Sequence, residues 1–189
     1  MTANNSKNIL IEAASRLFRI RGYDGVGIND IIKESGIPKG SLYHYFPKGK
    51  EDLAIEAIHH TKKIVITEIQ EVFEKYEDPI KAFQAHIYQL SEDILQDDHY
   101  IGLPIGTIAG EKHSTSEPIR MTCQLAFEHF QLIYKNKLIE AGYSERQSKD
   151  LSIVINALLE GGIILSETLK SENPLQVIAE QIPAVLRKK

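Results

Sequence analysis

The segment from Ile28 to Phe46 contains two short helical patterns separated by Ser35-Gly36-Ile37-Pro38. Glycine readily adopts the left-handed conformation that ends a helix, and proline is tolerated in the first turn of the next one. Within residues 39–45 only Leu42 is clearly apolar, and the others are rich in Lys, Ser, Tyr and His. Such a pair of helices is typical of a helix-turn-helix, whose second helix enters the DNA major groove. The segment therefore predicts a DNA-binding element.

Charge is distributed unevenly along the chain. Residues 1–50 carry eight Lys or Arg and four Asp or Glu, so their net charge is +4, whereas the rest of the chain carries −8. The overall charge of −4 alone argues against a nucleic-acid partner. A basic segment on an acidic remainder, however, places a phosphate-binding surface at the N-terminus. We therefore predict two domains, a head of residues 1–50 and a body of residues 51–189.

Composition favours a globular protein of the cytoplasm. The chain is 42% hydrophobic and 25% charged, which is typical of a protein with a sizeable core. The single cysteine, Cys123, excludes an intramolecular disulfide and is typical of a reducing compartment. The N-terminus lacks the apolar part of a signal peptide, and the longest apolar region, 151–169, is interrupted by Asn156, Glu160 and two glycines. We expect a cytoplasmic location and no membrane partner.

Helical periodicity extends through the whole chain, and no strand pattern is present. In the head we expect three helices: one with the apolar stripe Leu10, Ala13, Ala14, Leu17 and Phe18, a second from about Gly27 to Gly36, and a third ending near Phe46. In the body we expect six helices. The first spans about 51–76, the second follows Asp78-Pro79, and the third is short and ends near Glu111. The last three follow a capping box at Ser114–Glu117, a capping box at Ser144–Gln147 and the pair Asn173-Pro174, in that order. The fold class is all-α, a helix-turn-helix head followed by a helical bundle.

Two lysines, Lys48 and Lys50, lie where the fourth helix begins. They are unfavourable there by a few tenths to about 1 kcal/mol, because a helix N-terminus already carries partial positive charge. A DNA phosphate would be held by both a lysine and the helix N-terminus. A solvated loop is the alternative interpretation.

The run Gly36-Ile-Pro-Lys-Gly-Ser-Leu-Tyr-His-Tyr-Phe46, followed by Lys50-Glu-Asp-Leu53, resembles the DNA-binding signature of TetR-family transcriptional regulators. The resemblance covers about Ile9 to Leu53. In the body, 102–106 and 158–161 resemble the LmrA/YxaF-like branch of that family. Gly27 stands where the family usually has a Ser or Thr cap, and Leu103 where the branch often has Cys, which argues against a thiol-based sensor.

The resemblance implies which residues of the head contact DNA. By position they are Pro38, Lys39, Gly40, Ser41, Tyr43, His44, Lys48 and Lys50. Leu42 and Phe46 are expected in the head core. Tyr45 is left open, because its ring can equally pack on the fourth helix.

The body shows no catalytic pattern. It has no nucleophile elbow, P-loop or zinc-type His/Cys spacing, so we expect no enzyme activity, no metal and no cofactor. Instead we expect an effector pocket, for which the candidate residues are Phe73, Phe83, His86, Leu103, Pro104, Cys123, Phe127, Phe130, Tyr134 and Asn156. Core packing without a cavity explains most of these aromatic residues equally well, and Cys123 is interpreted foremost as a small core residue.

A homodimer is implied by the same resemblance, with the last long helices packed as a four-helix bundle. The candidate interface residues are Leu151, Ile155, Leu158, Gly161, Gly162 and Leu165. Asn156 and Glu160 are polar positions in an apolar helix, and they face either the pocket or the second subunit.

These predictions combine into a ligand-responsive repressor. It would bind palindromic operator DNA as a homodimer and be released by a small apolar or aromatic effector. The resemblance to the LmrA/YxaF-like branch implies that this effector is a flavonoid-like or drug-like compound. The alternatives are an effector-independent DNA-binding protein or activator, and a helical enzyme that carries a head-like domain.

Overall fold

The computed structural model describes residues 3–95 and 104–187, and each regular element within those ranges is an α-helix. The all-α fold class is therefore confirmed. The helices are α1 (Ala3–Arg21), α2 (Ile28–Ser35), α3 (Lys39–Tyr45), α4 (Lys50–Glu74), α5 (Pro79–Asp93), α6 (Ile105–Lys112), α7 (Glu117–Glu140), α8 (Glu145–Leu169) and α9 (Asn173–Val185).

Side-chain caps set several of the helix boundaries. Asp78 accepts a hydrogen bond from the Ile80 N–H at 2.9 Å, and Pro79 begins α5. The predicted capping box of α8 is confirmed, because the Ser144 hydroxyl accepts from the Gln147 N–H while the Gln147 side chain accepts from the Ser144 N–H. Both arrangements satisfy backbone donors that the first turn of a helix leaves unpaired.

The capping box predicted at Ser114 is wrong. The N–H groups of Thr115 and Ser116 bind the Lys112 carbonyl, so this segment is a turn that continues from the end of α6. The cap of α7 is Ser116 instead, since its hydroxyl accepts from the Ile119 N–H at 3.4 Å. The cap therefore lies two residues after the predicted position.

The chain forms two compact units. The first unit comprises residues 1–64 and 101–126, and the second comprises residues 65–100 and 127–189. Because the boundaries fall inside α4 and α7, each of these two helices contributes to both units. The division into a head and a body at residue 50 stays a prediction.

In the first unit, α1 packs against α2 and α3. The side chains that fill this part of the core are the expected apolar stripe of α1 and the inward residues of the next two helices: Leu10, Ala13, Ala14, Leu17, Phe18, Ile31, Leu42 and Phe46. Two ion pairs at the surface also join α1 to α2, Arg16 with Glu34 at 3.4 Å and Arg21 with Asp30 at 3.6 Å.

In the second unit, α9 packs against both α5 and α8. A side chain at Gly162 would place its Cβ 2.6 Å from Leu175 Cδ2 and 2.7 Å from Ile178 Cδ1. Glycine at this position therefore permits the close approach of α8 and α9 within one chain.

Helix α8 has the length and apolar composition of a membrane span, and it is the single described helix that does. A core helix of a soluble protein has the same composition, so this property alone is weak evidence for a membrane. Ile155 and Leu159 of α8 are buried inside the second unit, which accounts for part of its apolar character.

Candidate nucleic-acid interface and interior site

The turn between α2 and α3 has the backbone geometry of a tight helix-to-helix connection. Gly36 is left-handed, with φ of 67°, and its N–H donates to the Ile32 carbonyl at 3.0 Å. The Ser35 hydroxyl accepts from the Ile37 N–H at 3.2 Å. Pro38 follows the turn in an extended conformation and precedes the first residue of α3, Lys39.

Helix α3 has one buried face and one exposed face. Leu42 is 0% exposed, and Phe46, which follows the helix, is 1% exposed, so both belong to the core as predicted. The exposed side chains are the DNA-contact candidates Pro38, Lys39, Tyr43, His44 and Lys48, with Ser41 half-buried. Around a Cβ added to Gly40 there is open space, so the backbone of α3 is accessible at that point.

Tyr43 is the large aromatic residue of this exposed face. Its side chain is 42% exposed, and the Lys39 ammonium lies 6.0 Å from its ring centroid, one helical turn away. Tyr45, which the sequence left open, is half-buried, and its ring contacts those of His44 and Phe46 at centroid distances of 5.1 and 6.4 Å. Tyr43 is therefore the more accessible of the two tyrosines.

The N-terminus of α4 already has carboxylates of the protein beside it. Asp52 accepts a hydrogen bond from the Lys48 N–H at 2.8 Å, and Glu51 accepts one from the Ser116 hydroxyl at 2.6 Å. These acids compensate the partial positive charge of the helix end. The chain itself thus supplies negative charge at the helix end where the sequence predicts a DNA phosphate, and the phosphate contact stays a prediction.

The structure places the Lys50 side chain at the α1–α2 turn, and its predicted contact with a DNA phosphate stays a prediction. Its ammonium donates hydrogen bonds to the Tyr23 carbonyl at 3.0 Å and the Val26 carbonyl at 2.9 Å, and it lies 4.1 Å from the Tyr23 ring centroid. Burial lowers the pKa of the Lys50 ammonium. Lys50 is thus directed toward the α1–α2 turn, because two carbonyls and a ring there replace part of its hydration.

Sequence reasoning missed further contacts at the same turn. The Lys112 ammonium lies 2.6 Å from Asp24 Oδ1, and Glu111 accepts a hydrogen bond from the Asp24 N–H at 3.1 Å. The partners are 87 residues apart for the second contact, so no local pattern identifies them. These contacts fasten the end of α6 to the α1–α2 turn within the first unit.

Four of the predicted pocket residues meet in the interior of the second unit. The Phe73 and Phe83 rings are edge-on at a centroid distance of 5.0 Å, and Tyr134 lies 5.5 Å from Phe83. The His86 ring lies 6.3 Å from both Phe73 and Tyr134. These are contact distances for aromatic rings, so the four side chains form a packed cluster. We refer to Phe73, Phe83, His86 and Tyr134 as the ring cluster.

Burial changes the protonation of the polar members of the ring cluster. It lowers the pKa of His86 to about 4, so the imidazole is neutral at physiological pH. Burial is also the main cause that raises the pKa of Tyr134, and the negative charge of Glu160 adds to it. The cluster therefore contains a neutral imidazole and a neutral phenol among apolar rings.

Asn156 of α8 is buried in the second unit, whereas Glu160 is half-buried. Asn156 is 8% exposed, and Glu160 is close enough to Tyr134 of α7 to affect its pKa. Of the exposed apolar side chains of α8, Val154, Leu165 and Leu169 lie on the face opposite Asn156. Ile153 and Ile164 lie on the same side of the helix as Glu160. Asn156 therefore faces inward in the single chain, and the choice between pocket and second subunit stays open for Glu160.

The other predicted pocket residues do not join the ring cluster. Phe130 is buried and Phe127 half-buried in the second unit, whereas Pro104 and Cys123 are buried residues of the first unit. Leu103 lies outside the described residues. The predicted set is thus distributed over more than one region.

An open cleft of about 390 Å³ lies elsewhere on the second unit, between the ends of α4 and α7. It shares only Phe73 with the predicted pocket and is otherwise lined by Gln70, Glu74, Tyr76, Glu77, Ile133, Asn136, Lys137 and Glu140. The Lys137 ammonium donates to the Phe73 and Tyr76 carbonyls at 2.9 and 2.6 Å, so it caps the C-terminus of α4.

The predicted interface residues of α8 differ in their exposure within the single chain. Ile155 is 0% exposed, and Gly162 is buried against α9 of its own chain, so both are core positions. Leu165 is 52% exposed, Leu151 and Leu158 are half-buried, and a Cβ added to Gly161 meets open space. Within the single chain Ile155 and Gly162 therefore lie on the buried side of the apolar stripe and Leu165 on its exposed side, and the dimer interface itself stays a prediction.

Comparison with known proteins identifies the class. The family description "Bacterial regulatory proteins, tetR family" matches residues 10–57, which include the helix-turn-helix. The description "Transcriptional regulator LmrA/YxaF-like, C-terminal domain" matches residues 79–181. The chain belongs to the TetR family of bacterial transcriptional regulators. Within that family it carries the LmrA/YxaF-like C-terminal domain, so the resemblance seen in the sequence is confirmed.

Full-length relatives lead to the same assignment. The chain is 44% identical to the HTH-type transcriptional regulator YxaF of Bacillus subtilis (strain 168), over 98% of this chain and 97% of YxaF. It is 43% identical to the HTH-type transcriptional regulator LmrA of the same organism, over 100% of both chains.

Solved structures show the same fold at lower identity. The regulatory protein TetR from Rhodobacter sphaeroides superposes with a TM-score of 0.84 at 20% identity, covering 98% of this chain and 99% of that one. A TetR transcriptional regulator from Chloroflexus aurantiacus J-10-FL gives a TM-score of 0.82 at 21% identity, covering 96% and 94%.

Proposed function

We propose that the chain is a ligand-responsive repressor that binds palindromic operator DNA as a homodimer. The observation that carries this proposal is α3, which presents an exposed basic and aromatic face on a base of buried Leu42 and Phe46. Its proposed DNA contacts are Pro38, Lys39, Gly40, Ser41, Tyr43, His44 and Lys48. Lys50 is omitted from this set because its ammonium is bound to the α1–α2 turn.

The chemistry of these side chains suits two kinds of contact. Lys39 donates to guanine edges or phosphates, and Tyr43 and His44 donate to phosphates or base edges. The open space around Gly40 allows the backbone of α3 to approach the DNA closely. Lys48 contributes charge at the loop before α4 and, as a phosphate contact, carries no sequence information.

The proposed dimer interface is the outward face of α8. Val154, Leu158, Leu165 and Leu169 follow helical spacing on this face, and three of them are exposed in the single chain. Gly161 lies among them with open space at its Cβ, so a partner helix can approach closely there. An exposed apolar stripe of this length is typical of a subunit interface.

The proposed effector is a small apolar or aromatic compound that binds in the second unit. The ring cluster offers aromatic faces, while His86, Tyr134 and Asn156 offer buried polar groups that would orient a ligand. Because the rings are in contact, a ligand would displace at least one of them. A displaced ring would make the conformation of the ligand-bound protein different from that of the free protein. Ligand binding can change DNA affinity only if such a conformational difference exists.

The packed state of the ring cluster favours one alternative, an effector-independent DNA-binding protein or activator. Rings at centroid distances of 5.0 to 6.3 Å form a stable core without any ligand. For either function we propose action in the cytoplasm and no catalytic role.

The proposal is tested by titrating purified full-length protein on fluorescently labelled DNA from upstream of its own gene, with and without a planar flavonoid. We expect specific binding that the flavonoid weakens by about 5- to 150-fold, the range of typical allosteric coupling. Specific binding that no planar aromatic compound changes supports the effector-independent alternative. Absence of specific binding at moderate salt contradicts autoregulation by this protein.

A further inference from the structure

Tyr23, in the turn between α1 and α2, is contacted by lysines from two other helices. The ammonium of Lys50, from α4, lies 4.1 Å from the ring centroid, and that of Lys112, from α6, lies 4.7 Å from it. The ring also packs on Phe18 of α1 at 5.4 Å. Tyr23 is therefore held between the core of the first unit and two cations, an arrangement that is favourable for an aromatic face.

The backbone of the same turn is bound at three successive points. The Lys50 ammonium donates hydrogen bonds to the carbonyls of Tyr23 and Val26. The Glu111 carboxylate accepts a hydrogen bond from the N–H of Asp24. The Asp24 carboxylate pairs with Lys112, whose side chain is only 12% exposed. Hydrogen bonds with one ionised partner are stronger than neutral ones, so this set fixes the turn firmly.

The position of this turn determines where α2 begins. Val26 lies two residues before α2, and the Gly27 N–H is itself capped by Asp30 at 2.8 Å. Helix α2 is followed directly by Gly36 and α3. A displacement of the α1–α2 turn would therefore also displace the exposed face of α3. The turn is also approached closely from α6, because a Cβ at Gly22 would lie 2.3 Å from Glu111 Oε1.

We propose that Lys50 and Lys112 are positioning residues for DNA binding, which act by holding the Gly22–Val26 turn, and that Lys50 does not bind a DNA phosphate. The inference rests on the proposed function. Two of the three N–H donors of Lys50 are used by carbonyls within the first unit, whereas Lys48, two residues earlier, is exposed and available to phosphates.

The salt dependence of DNA affinity distinguishes positioning from phosphate binding. Each phosphate that a lysine neutralises adds about 0.9 to the slope of log affinity against log salt. The variants are Lys50→Met and Lys112→Met, which keep an unbranched apolar side chain without the charge, and Lys48→Met as the matched control. Full-length proteins are titrated over a salt series on a duplex that the wild type has selected from a random library.

We expect Lys50→Met and Lys112→Met to lose about tenfold in affinity at every salt concentration with an unchanged slope. Lys48→Met should flatten the slope by about one unit. Lys50→Arg should recover most of the lost affinity, because a guanidinium keeps the charge and the donors. Circular dichroism at the titration temperature verifies that each variant is folded, and Lys112→Met keeps the test decisive if Lys50→Met unfolds.

A slope that flattens by about one unit in Lys50→Met overturns the inference, because it assigns the ammonium to a phosphate. Unchanged affinity in both folded variants overturns it as well, since the turn then has no influence on α3. If the wild type selects no duplex, the proposed function fails and the inference fails with it. Selection by the wild type followed by a flattened slope in Lys50→Met contradicts the inference alone.

Discussion

The first unit is braced by charged side chains, whereas the second unit is filled by aromatic ones. In the first, Lys50 and Lys112 bind the α1–α2 turn, and Arg16 pairs with Glu34 across α1 and α2. In the second, the ring cluster occupies the interior, and His86 is buried there without charge. The comparison shows that charged side chains fix the α1–α2 turn of the first unit, whereas His86 and Tyr134 of the second unit are kept neutral by burial.

The comparison predicts that truncating a ring in the second unit has the largest effect on stability. Phe83→Ala should lower the free energy of unfolding by about 3–5 kcal/mol, because Phe83 is 0% exposed and contacts Phe73 and Tyr134. Urea denaturation followed by circular dichroism measures this loss. A loss below about 1 kcal/mol would mean that the ring cluster is loosely packed, and the comparison would then fail.

In contrast to Phe83→Ala, Tyr43→Ala should leave the stability of the protein nearly unchanged and lower its DNA affinity. The side chain is 42% exposed, so its removal should change the free energy of unfolding by less than about 0.5 kcal/mol. If Tyr43 reads bases, specific DNA affinity should fall by roughly 1–3 kcal/mol. Fluorescence anisotropy on specific and scrambled duplexes gives both affinities, and an equal loss on the two duplexes would show that Tyr43 does not read sequence.

The buried histidine makes the stability of the protein depend on pH. The pKa of His86 is about 4 in the folded chain and about 6.5 when unfolded. The unfolded state therefore binds more protons between these values, and stability is lost as the pH falls below about 6.5. We expect His86 to account for a loss of about 2 kcal/mol between about pH 7.5 and about pH 5.

The measurement is urea denaturation at both pH values for the wild type and His86→Leu. The pH-dependent loss should be smaller in His86→Leu, because that variant has no imidazole to protonate. His129→Gln serves as the matched control, since His129 is an exposed residue of α7. An identical pH dependence in wild type and His86→Leu would contradict the buried, neutral state of His86.

Substitutions of two adjacent glycines of α8 have the smallest predicted effects. Because Gly162 faces α9 and Gly161 faces open space, the two substitutions distinguish the two faces of α8. Gly162→Ala should cost about 1 kcal/mol, because the new Cβ meets the flexible ends of Leu175 and Ile178 at 2.6 and 2.7 Å. Gly161→Ala should not destabilise the single chain and should raise helix propensity by up to about 1 kcal/mol. In the proposed dimer, however, its methyl group would weaken subunit association.

Denaturation and sedimentation equilibrium of both glycine variants measure stability and association separately. The expected pattern is a destabilised Gly162→Ala with normal association and a stable Gly161→Ala with weakened association. The reverse pattern would mean that the face with Gly162 contacts the second subunit and that the face with Gly161 is packed inside the chain.

The helix-turn-helix and several of the helix boundaries were predictable because their signals are local. Gly36 ends α2 through its own backbone conformation, and the Ser144 cap acts within one turn. The buried Leu42 and Phe46 follow from the spacing of apolar residues around one helix. The family resemblance added the identity of the exposed candidates, which spacing alone does not provide.

The contacts of Lys50 and the faces of α8 were not predictable in the same way. The partners of Lys50 lie 24 and 27 residues earlier in the chain, and competition between an internal carbonyl and an external phosphate depends on three-dimensional distances. Ile155 and Gly162 belong to an apolar stripe, but the angle at which α9 crosses α8 decides which members face inward. The spacing of apolar residues shows that one face of a helix is apolar. It does not show whether another helix of the same chain or a second subunit packs against that face.

The central claim is that two copies of the α3 surface read a symmetric DNA site, and selection from a random-sequence duplex library with the full-length protein tests it most directly. The account predicts enrichment of an inverted repeat by the wild type, two protomers on each selected duplex by sedimentation, and no enrichment by the Lys39→Ala/Tyr43→Ala double variant. Absence of any enriched motif, or an asymmetric motif that the double variant selects equally well, would contradict the account.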